Sequence, residues 1–139
     1  MVTREAIVEQ ALAWLGVPFR HQGRDREGID CAGLLLVTGW PLGCWPAEFD
    51  ERNYEAATPV RHMLALLDAH CVRRPAGTPP QLADIVVVLP RPRGSGHCGI
   101  VVRPGVMLHA SNQIGRVVEH DVSNLFRHPR AVYAFPRVS

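Results

Sequence analysis

Four cysteines and seven histidines are the residues of this chain best suited to nucleophilic and acid–base chemistry. Among the thiols, Cys31 has the most informative setting, Gly28-Ile29-Asp30-Cys31-Ala32-Gly33-Leu34-Leu35. A thiol attacks as the thiolate, and its free pKa is about 8.5, so something must stabilise the anion. A helix N-terminus does so through its unpaired N–H groups and its dipole. Asp30 suits the cap of a helix that starts at Cys31. The Cys31 N–H is then a natural donor to an oxyanion. Gly28 and Gly33 would let backbone and substrate approach closely. On local sequence alone, the commoner role for such a cysteine is a buried structural thiol packed beside Leu34 and Leu35.

His97 and His109 are expected on adjacent strands joined by Arg103-Pro104-Gly105. With that tripeptide as the loop, Val102 faces Val106, His97 faces Ser111 and Gly99 faces His109. Both imidazoles then project from one face, a diagonal step apart. A two-residue loop would put them on opposite faces. One imidazole can take a thiol proton while the other orients it through the second ring nitrogen. Each histidine taken alone reads more commonly as a surface or rim residue. Cys31, His97 and His109 are also a conceivable zinc set, but a zinc site wants a fourth ligand or an open water position. No metal and no cofactor is expected.

The elements that must hold these groups follow from periodicity. Apolar residues at helical spacing over 4–15 predict an amphipathic helix, capped by Thr3 and ended by Gly16 and Pro18. A polar loop with surface charges at Arg24–Glu27 leads to the Cys31 helix, which Gly39-Trp40-Pro41 stops. Residues 41–57 read as irregular, with Trp40, Trp45, Phe49 and Tyr54 as groove or core aromatics. A further helix is expected from Thr58, as cap, to about Cys71. Short β-branched runs at 84–89, 97–102, 106–111, 115–120 and 131–136 read as strands, and the Pro90–Gly96 loop is expected to border the cleft. Helices first and strands later predict an α+β fold with an antiparallel sheet of about five strands.

A length of 139 residues fits a single domain with a real core, and 47% apolar with 20% charged residues is ordinary globular composition. A net charge of +2 gives no reason to expect nucleic acid. No run reaches the ~18–20 apolar residues of a membrane span. The start, Met1-Val2-Thr3-Arg4-Glu5, lacks the basic, apolar and small-residue succession of a signal peptide. The expectation is a chain made in the cytoplasm, without membrane insertion, whose cysteines form no disulfide framework.

Three blocks in order resemble the NlpC-type cysteine peptidases, over roughly residues 5–136. Leu15–Gly23 followed by Gly28–Leu34 is similar to their nucleophile region. Ala83–Val87 followed by His97-Cys98-Gly99-Ile100-Val101-Val102 is similar to their base-bearing strand. Met107-Leu108-His109-Ala110-Ser111 followed by Gly115–Glu119 is similar to the strand carrying their third residue, and the twelve-residue step from His97 to His109 matches their habit. The resemblance implies a papain-like core with Cys31 as nucleophile, His97 as base and His109 as orienting residue. It implies hydrolysis of an amide in peptidoglycan stem peptides, commonly γ-D-glutamyl to diaminopimelate. Asp30 would help bind the substrate's amine end. Phe19 stands where the family often has a Tyr whose hydroxyl assists, so that help is missing or replaced, with His21 as the replacement. Ala32 stands for the usual Ser, and Cys98 for a plain aliphatic that, on a strand, points away from His97 into the core. The Gln22-Gly23 form looks like the phage-associated members, which implies delivery to the wall by a phage tail or another partner. Two alternatives stay open: the same thiol chemistry on a different acyl substrate, and a non-catalytic tail or binding module that keeps the fold.

Overall fold

The computed structural model describes residues 1–89, 96–123 and 129–139. The loop expected to border the cleft therefore lies, apart from Gly96, outside the described residues. The first helix, α1, spans Arg4–Leu12, and Thr3 caps it by accepting from the Ala6 N–H at 3.1 Å. It ends before the expected Leu15. The Gly16 N–H, at a φ of +87°, donates to the Val117 carbonyl at 2.9 Å instead of continuing the helix. A two-stranded ribbon follows, β1 (Arg24–Asp25) and β2 (Gly28–Ile29). Next come α2 (Cys31–Gly39), a 3₁₀ turn over Trp40–Leu42 and α3 (Val60–His70). Thr58 is not the cap of α3: its hydroxyl donates to the Glu55 carbonyl, and Pro59 occupies the cap position.

The larger sheet contains β3 (Val72–Arg73), β4 (Ile85–Val88), β5 (His97–Arg103), β6 (Val106–Ser111), β7 (Arg116–Asp121) and β8 (Ala131–Ala134). Its order is β3-β8-β4-β5-β6-β7, with every neighbouring pair antiparallel. The α+β architecture is as expected, with six strands rather than five. The additional strand, β3, is two residues long, too short to show the alternation by which a strand is read.

Alternation along the strands divides the interior. Ile85 and Val87 of β4, with Cys98, Ile100 and Val102 of β5, join α1 and α2 in the main core. Val86, Val88, Val101, Met107 and Val122 form a smaller cluster on the other face. α2 is apolar all round and buried from Gly33 to Gly39, as a helix enclosed on every side must be. Arg4 ties α1 to the start of β4 through a 2.7 Å bond to Asp84, a fully buried carboxylate that also pairs with Arg74.

The β5–β6 turn reaches the expected result by a different route. Arg103 pairs with Val106, so only Pro104 and Gly105 lie in the turn, and a bulge between Val101 and Arg103 shifts the register by one. Beyond the bulge Val101 faces Met107 and Ile100 faces Leu108. The extra residue in one strand returns His97 and His109 to a common face, which a two-residue turn alone would have separated.

Candidate active site

Cys31 is the first residue of α2, half-buried, and Asp30 caps the helix by accepting from the Gly33 N–H at 2.8 Å. The other bonds of Asp30 fix the surrounding loops. Oδ1 accepts from Arg24 at 3.1 Å, and Oδ2 accepts from the Gln22 N–H and the Tyr54 hydroxyl, each at 2.7 Å. The carboxylate thus carries four internal bonds, close to its full acceptor capacity. Its effect on the site in this structure is to hold the helix start.

Arg24, expected as loop surface, is instead a buried organiser. It donates to Asp50 at 2.8 Å, to the Glu51 carbonyl at 2.9 Å and to the Tyr54 hydroxyl at 2.8 Å. These bonds strap the irregular 49–55 segment over the start of α2. Gly33 is required by the same packing, because a Cβ there would lie 2.4 Å from the Gly23 carbonyl oxygen. The close approach anticipated for a substrate is made by the chain itself.

The Cys31 sulfur is held by Cys98. The Cys98 thiol and the Ala32 and Cys98 amides lie close enough to the Cys31 sulfur to stabilise its anion. These donors, the Cys98 thiol first, lower the Cys31 pKa against burial and the nearby Asp30 charge. The neighbouring Cys31 thiol together with burial raises Cys98 well above the ordinary thiol range. Burial pushes Cys71 up to about 12. Among the cysteines with neighbours of this kind, the thiol at the helix start is the one poised to ionise.

His97 opens β5, one residue before Cys98 and on the opposite side of the strand. His97 Nε2 and His109 Nδ1 are 2.7 Å apart, with the rings edge to face at 4.8 Å between centroids. His120, on the neighbouring strand, stacks on His109 at 5.5 Å. Burial, then the nearby His120, lowers His97 to about 4; burial, then His97 and His120, lowers His109 to about 4. Both rings are therefore neutral at neutral pH. If His97 Nε2 donates to His109 Nδ1, the His97 Nδ1 lone pair is free to accept a proton. In that tautomer His109 carries its hydrogen on Nε2, which is buried without a partner.

The structure thus brings Cys31 to Cys98 and His97 to His109, and the two pairs meet at the His97–Cys98 peptide. Of the remaining expected residues, Ala32 lines the cavity beside Cys31. Phe19 packs on the main core and bridges Ile29. His21 is exposed, 3.8 Å from Asp30 and edge-on to Tyr54. Sequence reasoning did not assign Arg24 to the site, although a cation close to a capping aspartate was an available signal, and it gave Tyr54 only as a groove or core aromatic. A cavity of about 80 Å³ beside Cys31 is walled mainly by apolar groups, among them Leu35, Trp45, Phe49, Met63 and Leu67. Among the described residues no three metal-ligating side chains converge, and no helix is long and apolar enough to cross a membrane.

No family model matches the chain. A 30-residue stretch, 22% of this chain, is 43% identical to the probable endopeptidase NlpC of Escherichia coli (strain K12) and spans a fifth of that protein. Among solved structures, the NlpC/p60 domain of the peptidoglycan hydrolase SagA is 20% identical, covers 96% of this chain and 99% of its own, and superposes with a TM-score of 0.66. NlpC1 from Trichomonas vaginalis gives 0.69 at 16% identity, over 95% of this chain and 44% of that one. The peptidoglycan hydrolase RipB from Mycobacterium tuberculosis gives 0.57 at 22% identity, over 96% of this chain and 65% of that one. The chain has the papain-like NlpC/p60 fold, with its first cysteine at the start of the buried helix and its two bonded histidines on adjacent strands.

Proposed function

We propose that this protein is a cysteine peptidase that hydrolyses amide bonds in peptidoglycan stem peptides, with the γ-D-glutamyl to diaminopimelate bond as the target. The observation that carries the reading is the His97–His109 bond, set one residue along β5 from the Cys98 that neighbours a helix-start cysteine whose pKa is lowered. The fold shared with two peptidoglycan hydrolases supplies the substrate class. In this reading the Cys31 sulfur leaves Cys98, and its proton passes to His97 Nδ1. The thiolate attacks the carbonyl carbon, and the Cys31 N–H receives the developing oxyanion. Protonated His97 then returns the proton to the departing amine. Water, deprotonated by His97, cleaves the thioester and releases the acid. His109 holds the His97 ring throughout. Substrate-facing roles for Asp30, His21, Phe19 and Ala32 belong to the same reading, as does delivery by a phage tail or another partner, which the Gln22-Gly23 sequence supports.

Digestion of purified peptidoglycan with the native protein and with Cys31→Ala, followed by mass analysis, tests the proposal. The native protein should release fragments with a new diaminopimelate amine terminus, and the variant none. Release by both, or by neither, would overturn it. The apolar cavity beside Cys31 favours a second reading, the same thiol chemistry on an apolar acyl substrate. Turnover of an acyl thioester in the absence of wall digestion would select it.

A further inference from the structure

All four cysteines are free thiols, and three of them, Cys31, Cys71 and Cys98, line the same cavity. Two of the three, Cys31 and Cys98, are neighbours where α2 packs on β5, and the Cys98 thiol is the group that most stabilises the Cys31 anion. They come from different elements, the first turn of α2 and the start of β5. We propose that Cys31 and Cys98 are a redox-reactive dithiol pair, converted by a hydroperoxide into a disulfide that takes the Cys31 sulfur out of use.

The chemistry balances in two steps. The Cys31 thiolate attacks the distal oxygen of the peroxide, forms an S–O bond and expels hydroxide, or alkoxide from an organic peroxide. The sulfur is oxidised by two electrons and the O–O bond is reduced. The Cys98 sulfur then attacks the sulfur of this sulfenic acid, the S–S bond forms, and the released hydroxide takes the Cys98 proton as water. The sulfurs begin as neighbours lining one cavity and must close to about 2.05 Å. The order of events follows from the surroundings. Cys31, half-buried and with stabilising neighbours for its anion, meets the oxidant first, while Cys98 is 3% exposed. Cys71 borders the same space, but burial keeps it protonated. The bond would also protect the nucleophile, because a sulfenic acid captured by Cys98 is not carried on to the irreversible sulfinic state.

The inference uses the proposed nucleophile, but its test is read by mass. The reduced full-length chain is treated with stoichiometric hydrogen peroxide, remaining thiols are blocked, and intact and proteolysed protein are weighed. The expected product has lost two hydrogens, yields a peptide linking Cys31 to Cys98, and is restored by dithiothreitol. Cys71→Ser should form the same link. Cys98→Val, given excess peroxide, should instead collect two or more oxygens on Cys31 that dithiothreitol does not remove. Oxygen addition to native Cys31 without a link, a link between other cysteines, or no reaction at Cys31 would each overturn the pair. Wall digestion is measured in parallel. A protein that forms the bond but digests no wall refutes the proposed function alone, and one that digests wall without forming the bond refutes the pair alone.

Discussion

The two faces of the large sheet hold their reactive groups in different ways. On the helix-covered face, Cys98 sits with Ile100 and Val102 in the main core, and its thiol meets Cys31 across an apolar boundary. On the other face His97 and His109 are bonded to each other beside the smaller cluster of Val86, Val88, Val101 and Met107. A thiol packs as a small hydrophobe and tolerates such a core. An imidazole carries two polar nitrogens, and burial makes each seek a partner. The contrast also separates burial from ionisation. Cys71 shows that burial raises a thiol, whereas the Cys98 thiol and the nearby amides bring Cys31 down. Alternate residues of one strand, His97 and Cys98, serve the two arrangements.

Removing the groups that join the faces should have the largest effect. Cys31→Ala should reduce wall-fragment release by at least about 10³-fold, with near-UV circular dichroism unchanged. His97→Ala should cost about 10²–10⁴-fold in kcat/KM. His109→Ala should cost less, about 10–100-fold, since it removes a hydrogen-bond partner worth about 1–3 kcal/mol rather than the base itself.

Truncation within each face compares their packing. Ile100→Ala, in the main core, should lower the unfolding free energy by about 2–5 kcal/mol in urea titrations. Val101→Ala removes less apolar volume from the smaller cluster and should cost less, about 1–2 kcal/mol. Equal losses would mean that the second cluster supports the sheet as strongly as the helices do.

The histidine face should also give the molecule an acid-sensitive window. His97 and His109 fall from 6.5 to about 4 in the folded state. Between those values the unfolded chain binds more protons, so stability rises with pH there and is lost as the pH drops from about 6.5 to 4. Each ring should account for about 3 kcal/mol, removed by a His97→Gln, His109→Gln double variant in urea midpoints measured across that range. The acid limb of kcat/KM should lie near pH 4 rather than 6.5, since His97 stays unprotonated to that point. The smallest effect expected is for Tyr54→Phe, which removes one donor to Asp30 and should cost about 1 kcal/mol of stability.

Much of the site was legible because its rules are local. The Asp30 cap and the Cys31 start of α2 follow from a side chain and a helix three residues long in reach. The shared face of His97 and His109 follows from alternation, although the Pro104–Gly105 turn and bulge that achieve it do not show in the residues. What escaped reading rests on contacts distant in sequence. Arg24 looked like surface charge because its partners, Asp50, the Glu51 carbonyl and Tyr54, come from a segment without periodicity. The edge strand Val72–Arg73 is defined only by its pairing to Ala134 and Tyr133.

The sequence by itself pointed to Cys31 as a helix-start thiol and to His97 and His109 as imidazoles on one sheet face, because helix caps and strand alternation are set within a few residues. Tertiary structure alone decided that the Cys31 sulfur rests on Cys98, that Arg24 and Tyr54 clamp the carboxylate beneath it, and that three thiols share one apolar cavity. Those contacts join positions tens of residues apart, and burial and partner geometry fix thiol and imidazole pKa values only once the elements have packed.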